Sequence, residues 1–243
     1  MHDTPLAKYL PNVSKLIFGC MGLGGGWNKD PLTNTHTQQA HACIDTAIAG
    51  GINLFDHADI YTFGKAEQVF GQVLKQRPEL REQIYIQSIQ FLQTALDMPI
   101  VANQIEASLK QSAWVDEGVY VGNRDGKDIN FTPGFIEYCT EQEIQIQSWG
   151  SLCQGLYSGK QLQNASPADI NTAILVNKLA ALYRTSAEAI VLAWLLRHPA
   201  LIQPVIGTTN AKRLAASCSA VNIELTREHW YALYVSAKGH ELP

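Results

Sequence analysis

The stretch Gly51-Ile52-Asn53-Leu54-Phe55-Asp56-His57-Ala58-Asp59-Ile60-Tyr61 decides the fold. Its first half, Ile52–Asp56, is a short apolar run of strand length. Before it, Ala40, Cys43, Ile44, Ala47 and Ile48 recur at i, i+3, i+4, i+7 and i+8, which is one face of a helix. Gly50-Gly51 ends that helix, as glycine does just past a C-terminus. After it, Ala66, Val69, Phe70, Val73 and Leu74 line up as a second helical face. A strand held between two helices, with polar residues directly after its last residue, is the unit of a parallel sheet.

The same alternation runs outward in both directions. Further strands are expected at Lys15–Cys20, Ile84–Ile89, Ile100–Gln104, Ile144–Trp149 and Ile202–Gly207. Helices are expected at Phe135–Glu143, Ala211–Cys218 and, after Thr226 as N-cap, Arg227–Lys238. Ile174–Arg197 reads as two helices broken near Tyr183–Thr185, with Thr185 and Glu188 in a capping box. Gly118–Asp128 reads as a long polar loop.

An open dinucleotide sheet would carry GxGxxG at its first strand–helix turn. Gly22-Leu23-Gly24-Gly25-Gly26-Trp27 lacks the last glycine of that spacing. Residues with chemistry to offer follow several different strands, which favours the mouth of a TIM-type (β/α) barrel. No linker or shift in composition divides the chain, so residues 1–243 are expected to form a single domain.

Composition narrows the function. The net charge is −4 and no basic tract exceeds two residues, so nucleic acid finds no electrostatic footprint. Apolar runs fall far short of the ~20 residues of a membrane span, and Met1–Leu10 has no signal-peptide core. Five cysteines, odd in number and without CxxC spacing, point to reduced thiols in the cytoplasm.

With these residues in view, the chain resembles the aldo-keto reductases. Asp56-His57-Ala58-Asp59-Ile60-Tyr61 matches the D-x-A-x-x-Y of that family's second strand. Gly19 to Gly24, Gly51-Ile52-Asn53 and Gly64-Lys65-Ala66-Glu67 match its surroundings. Ala102-Asn103-Gln104-Ile105-Glu106 resembles the N-Q-x-E strand. Ser148-Trp149-Gly150-Ser151-Leu152, with Gly155, Gly159 and Lys160, resembles a loop that lies along the cofactor. Gly207-Thr208-Thr209-Asn210-Ala211-Lys212-Arg213-Leu214 resembles the last strand–helix loop.

The resemblance implies reduction of an aldehyde or ketone by NADPH, with Tyr61 as proton donor and Asp56 in support. It implies cofactor contacts at Gln104, Ser148, Trp149, Leu152, Gly207, Thr208 and Arg213, with no metal. Gln104 would meet the nicotinamide amide, Trp149 would lie near its ring, and Thr208 and Arg213 would grip the 2′-phosphate. An arginine fork suits a phosphate, and a helix N-terminus beside it offers free N–H donors.

Two family residues have no counterpart. The family places a lysine at the end of the third strand and a histidine at the end of the fourth; the lysine position here is Ile89. The text then passes to Phe91–Leu96, which resembles the helix before the N-Q-x-E strand. A family segment near residues 89–91 is missing, and six of the eight barrel strands are legible. The nine residues Gln90 to Met98 are fewer than the roughly 10–12 of a crossover with its helix.

A tyrosine of ordinary pKa about 10 makes a poor acid near neutrality without a cation beside it. The expected activity is therefore impaired, and an inactive nucleotide-binding or partner-binding remnant is the alternative. His57, adjacent to Asp56, is expected on the opposite face as a packed histidine. Lys65 is expected to be solvated, and Trp194 and Trp230 to pack. Trp114–Asn130 is expected to be a pocket wall or a solvated loop.

Overall fold

A computed structural model describes residues 4–58, 60–88, 101–162 and 165–243. Ile89, the expected helix at Phe91–Leu96 and the junction near 89–91 lie outside the described residues. In chain order the strands and α-helices are β1 (Ile17–Gly19), α1 (Asn34–Ala49), β2 (Leu54–His57), α2 (Lys65–Gln76), β3 (Tyr85–Ser88), β4 (Ala102–Glu106), α3 (Ala113–Val119), α4 (Phe135–Glu141), β5 (Gln145–Trp149), α5 (Pro167–Tyr183), α6 (Ala187–Leu196), β6 (Gln203–Ile206), α7 (Ala211–Cys218) and α8 (Arg227–Lys238). All six strands expected from the sequence are present, and every pairing among them is parallel. The residues divide into two compact units, and β6 contributes one half to each.

The first unit is Ala7–Ile100 with Val205–Cys218. β2 lies between β1 and β3, with Leu54 opposite Ile17 and Tyr85. β1 also pairs with the second half of β6, Ile17 opposite Val205 and Phe18 opposite Ile206. The apolar faces read from the sequence are the buried ones: Ala40, Cys43, Ile44 and Ala47 on α1, and Ala66, Val69, Phe70, Val73 and Leu74 on α2. Phe55 meets Phe18 edge-on at 5.8 Å and Phe70 at 5.5 Å, joining strand to helix. Gly24 takes φ +78°, and a Cβ there would lie 2.9 Å from the backbone of Lys65. Glycine at 24 therefore lets the loop after β1 press directly on the first turn of α2.

The second unit is Met1–Leu6, Val101–Pro204 and Ser219–Pro243. β5 pairs with β4 and with the first half of β6, Gln147 standing opposite both Gln104 and Gln203. α6 is buried from Ala189 to Leu195, so it is apolar all round rather than on one face. Trp194 and Trp230 stack at 5.0 Å and 9°, each indole N–H donating to the other's carbonyl, at 3.1 and 2.8 Å. Their expected packing role is met.

Several sequence expectations are corrected here. The polar stretch is not a plain loop: α3 precedes it and a 3₁₀ turn occupies Arg124–Asp128. Trp114 is neither pocket wall nor solvated; it is buried and edge-on to Trp194 at 5.6 Å. The N-cap of α6 is Ser186, whose hydroxyl accepts from the Ala189 N–H, while the Thr185 hydroxyl meets Ser219 at 3.1 Å. α5 begins at Pro167 rather than Ile174, because Ser166-Pro167 supplies a cap and a proline that tolerates the first turn. No single described helix is long and apolar enough to cross a membrane.

Candidate active site

The first unit holds Asp56 and Tyr61 together. Asp56 lies at the C-terminal end of β2 and is 1% exposed. Tyr61 begins a 3₁₀ turn five residues on, and its hydroxyl donates to Asp56 Oδ2 at 3.0 Å. The phenol is half-buried, and burial, the Asp56 charge and the Cys20 thiol all push its pKa up. Each of these disfavours the phenolate, and no cation among the described residues acts in the opposite sense.

The turn that carries Tyr61 is strained. Thr62 (φ 48°) and Phe63 (φ 59°) both occupy the left-handed region, followed by Gly64 at φ 81°. Such a residue other than glycine costs roughly 1–2 kcal/mol. The Thr62 hydroxyl secures the turn by donating to the Leu23 carbonyl at 3.2 Å. Strain of this kind gathers at functional sites, and nothing in the letters Thr-Phe signals it.

His57 points to the other face, as strand alternation requires, with its ring edge-on to Phe70 at 4.5 Å. Neither ring nitrogen has a hydrogen-bond partner, and burial pulls its pKa down to about 4. It is a packed neutral imidazole, not a substitute for the absent histidine. Lys65 is corrected: it is 7% exposed rather than solvated, and its ammonium donates to Asn28 Oδ1 at 2.7 Å. It does not figure among the groups acting on Tyr61.

The loop from Gly207 to Asn210 leads into α7 in the same unit. The Asn210 N–H donates to the Thr208 hydroxyl at 3.3 Å, and Asn210 Oδ1 accepts from the Arg213 N–H at 3.1 Å. Arg213 and Lys212 are exposed, and a Cβ on Gly207 would meet nothing within 4 Å. A hydroxyl, two cations and open space at a helix start suit a phosphate group. Gly22 approaches this loop so closely that a Cβ would sit 2.7 Å from Thr209 Cγ2.

The second unit gathers the other four residues around β4 and β5. Gln104 donates to Gln147 at 3.4 Å, and Gln147 to Gln203 at 3.1 Å, a row of amides across three strands. Sequence reasoning singled out only the first of these. The register that aligns them depends on long-range pairing that single residues do not encode. The Ser148 hydroxyl is buried and lies 3.0 Å from that of Ser151, which donates to the Ser148 carbonyl at 2.7 Å. Ser148 thus tightens the loop after β5. Trp149 is 46% exposed, leaving a free aromatic face, and Leu152 packs against the unit's apolar core. Among the described residues no cluster of side chains could hold a metal ion.

Known proteins resemble this chain over most of its length. The model of the aldo/keto reductase family matches residues 15–112 and 84–234, two overlapping stretches. The 6-dehydroglucose reductase of Agrobacterium fabrum is 25% identical over 305 residues, covering 95% of this chain and 96% of that protein. That alignment is longer than the 243-residue chain, so it opens gaps within it. A thermostable aldo-keto reductase solved with the inhibitor epalrestat superposes with a TM-score of 0.63 at 17% identity, over 92% of this chain and 95% of that one. An aldo-keto reductase from Klebsiella pneumoniae, solved with NADPH, gives 0.58 at 16%, over 91% and 90%. These likenesses show the fold: an incomplete TIM-type (β/α) barrel, six strands being present among the described residues. The chain belongs to the aldo/keto reductase family.

Proposed function

We propose that this oxidoreductase uses NADPH to reduce a small aldehyde or ketone, slowly, as one shortened barrel domain lacking a family segment near residues 89–91. The observation that carries the reading is the Tyr61 hydroxyl held by Asp56 at 3.0 Å directly after β2. NADPH, when bound, would supply the hydride for carbonyl reduction. Tyr61 donates its proton to the carbonyl oxygen, and Asp56 fixes the direction of that hydroxyl. Gln104 offers an amide to the nicotinamide carboxamide, and Trp149 offers its exposed face to the ring. Ser148 and Leu152 hold the loop beside them. Gly207, Thr208 and Arg213 receive the 2′-phosphate at the start of α7.

The impairment follows from charge. After giving up its proton Tyr61 is a half-buried phenolate facing the Asp56 carboxylate, and burial and that charge both raise its energy. Lost acid–base assistance commonly costs ~10²–10⁴-fold in rate. The same observation favours a second reading, a catalytically inactive remnant that binds nucleotide or a partner. The net charge of −4 argues against nucleic acid as that partner. Five free thiols suit a cytoplasmic setting.

The test is NADPH oxidation by the purified protein with a simple aldehyde, compared with Tyr61→Phe. Turnover that Tyr61→Phe abolishes supports the reductase. Turnover equal in both proteins removes Tyr61 from the chemistry, and none in either favours the remnant.

A further inference from the structure

The first unit contains a pocket of about 320 Å³ between the loop at Asn28–Leu32 and the first turn of α2. Lys65, the first residue of that helix, lines it. Its ammonium carries three donors; one is spent on Asn28 Oδ1, and it makes no ion pair among the described residues. A lysine that is 93% out of solvent normally has a carboxylate partner. This one also sits at the positive end of a 12-residue helix, where the macrodipole opposes a cation. Nor does Gly64, the N-cap, place a side chain there.

The pocket's other charges leave the imbalance in place. Lys29 lines it as a second cation. Asp30 is its one carboxylate among the described residues, and the Asp30 N–H donates to the same Asn28 oxygen that receives Lys65, at 3.2 Å. Asn28 therefore fixes both the loop and the lysine, and no described residue takes the other two donors of the Lys65 ammonium. Gln68, one turn further along α2, adds an amide. Two cations, a helix N-terminus and an amide around a polar cavity are complementary to an oxyanion.

We propose that this pocket binds a small oxyanion, a carboxylate or a phosphate group, on the Lys65 ammonium. The group belongs either to a free metabolite-sized anion or to the acidic tail of a carbonyl substrate. Binding itself is independent of whether the chain reduces anything.

The experiment titrates inorganic phosphate, and separately succinate, into the full-length protein. Calorimetry and thermal melting are read against sodium chloride at equal ionic strength. Saturable binding that raises the melting temperature, weakened at least tenfold in Lys65→Gln and kept in Lys65→Arg, is the expected result. Equal binding by Lys65→Gln and the wild type, or no saturable binding of either anion, overturns the proposal. Should Lys65→Gln fail to fold, Lys29→Glu, on an exposed loop residue, carries the same test. It is expected to melt as the wild type does but to bind several-fold more weakly; unchanged binding counts against the site. A second arm separates the two sources by comparing succinic semialdehyde with butanal as substrates. A KM raised by Lys65→Gln for the acidic aldehyde alone, with kcat unchanged, assigns the pocket to a substrate tail. Loss of phosphate or succinate binding with both KM values unchanged assigns it to a free anion.

Discussion

Tyrosine donates to aspartate in both units, with different surroundings. In the second unit the buried Tyr234 hydroxyl donates to Asp116, which also accepts from the Ser112 hydroxyl at 3.0 Å and the Lys238 ammonium at 2.8 Å. In the first unit Tyr61 donates to Asp56 from a strained turn at a strand end, and the phenol is half-buried. Burial and an adjacent carboxylate push both phenols upward in pKa. Asp116 has its charge answered by Lys238 and joins α3 to α8 as a strut. Among the described residues, nothing comparable answers the charge that would appear on Tyr61. A tyrosine–aspartate pair is thus a structural device by default. Its place at a strand's C-terminal end, partly open to solvent, is what makes the first one a candidate for chemistry.

Removing the strut should have the largest effect. Asp116→Ala leaves the Tyr234 hydroxyl without an acceptor and Lys238 without its ion pair, and should cost about 3–5 kcal/mol of stability. Urea unfolding checks this; a loss below about 1 kcal/mol would erase the contrast between the pairs. Tyr61→Phe should leave the unfolding midpoint nearly unchanged while lowering aldehyde turnover by ~10²-fold, about 2.7 kcal/mol of barrier. A large drop in melting temperature would instead make Tyr61 a second strut.

Acid sharpens the comparison from another side. Burial lowers His57 in the first unit and His198 in the second to about pKa 4. An unfolded histidine titrates near 6.5. Below that pH the unfolded chain takes up protons the folded chain refuses, so stability is lost as pH falls from about 6.5 to about 4. Each histidine accounts for on the order of 2–3 kcal/mol of that loss. His57→Leu removes one titrating ring and two unpartnered nitrogens, and should flatten the profile measured by denaturation at stepped pH. An unchanged slope would mean the imidazole is not held neutral. The smallest effect expected is a gain: Ile89→Lys should raise turnover roughly tenfold, about 1.4 kcal/mol, by restoring a cation where the family has one. No change would show that the fold does not bring position 89 to Tyr61.

Strand-forming runs and helical faces were legible because periodicity is local. All six strands, the faces of α1 and α2, and the Thr226 cap of α8 were readable in that way. The pairing of Tyr61 with Asp56 was legible as a spacing, although its missing cation could be inferred only by comparison with a family. What escaped depends on contacts distant in sequence. Trp114 looked like part of a polar loop because polar residues follow it from Asp116 onward, yet it meets Trp194 eighty positions away. Lys65 looked solvated because lysine usually is, and only the close approach of Gly24 and the reach of Asn28 enclose it. The left-handed turn at Thr62–Phe63 runs against residue preference and could not have been foreseen.

The central claim is that the incomplete barrel holds the family's cofactor. The direct measurement is titration of NADPH by fluorescence on the purified protein, with thermal melting in parallel and Arg213→Ala beside it. Saturable binding that raises the melting temperature, weakened about tenfold by Arg213→Ala, is the predicted result. A sharp melt that NADPH leaves unmoved, with no saturable signal, would contradict the claim.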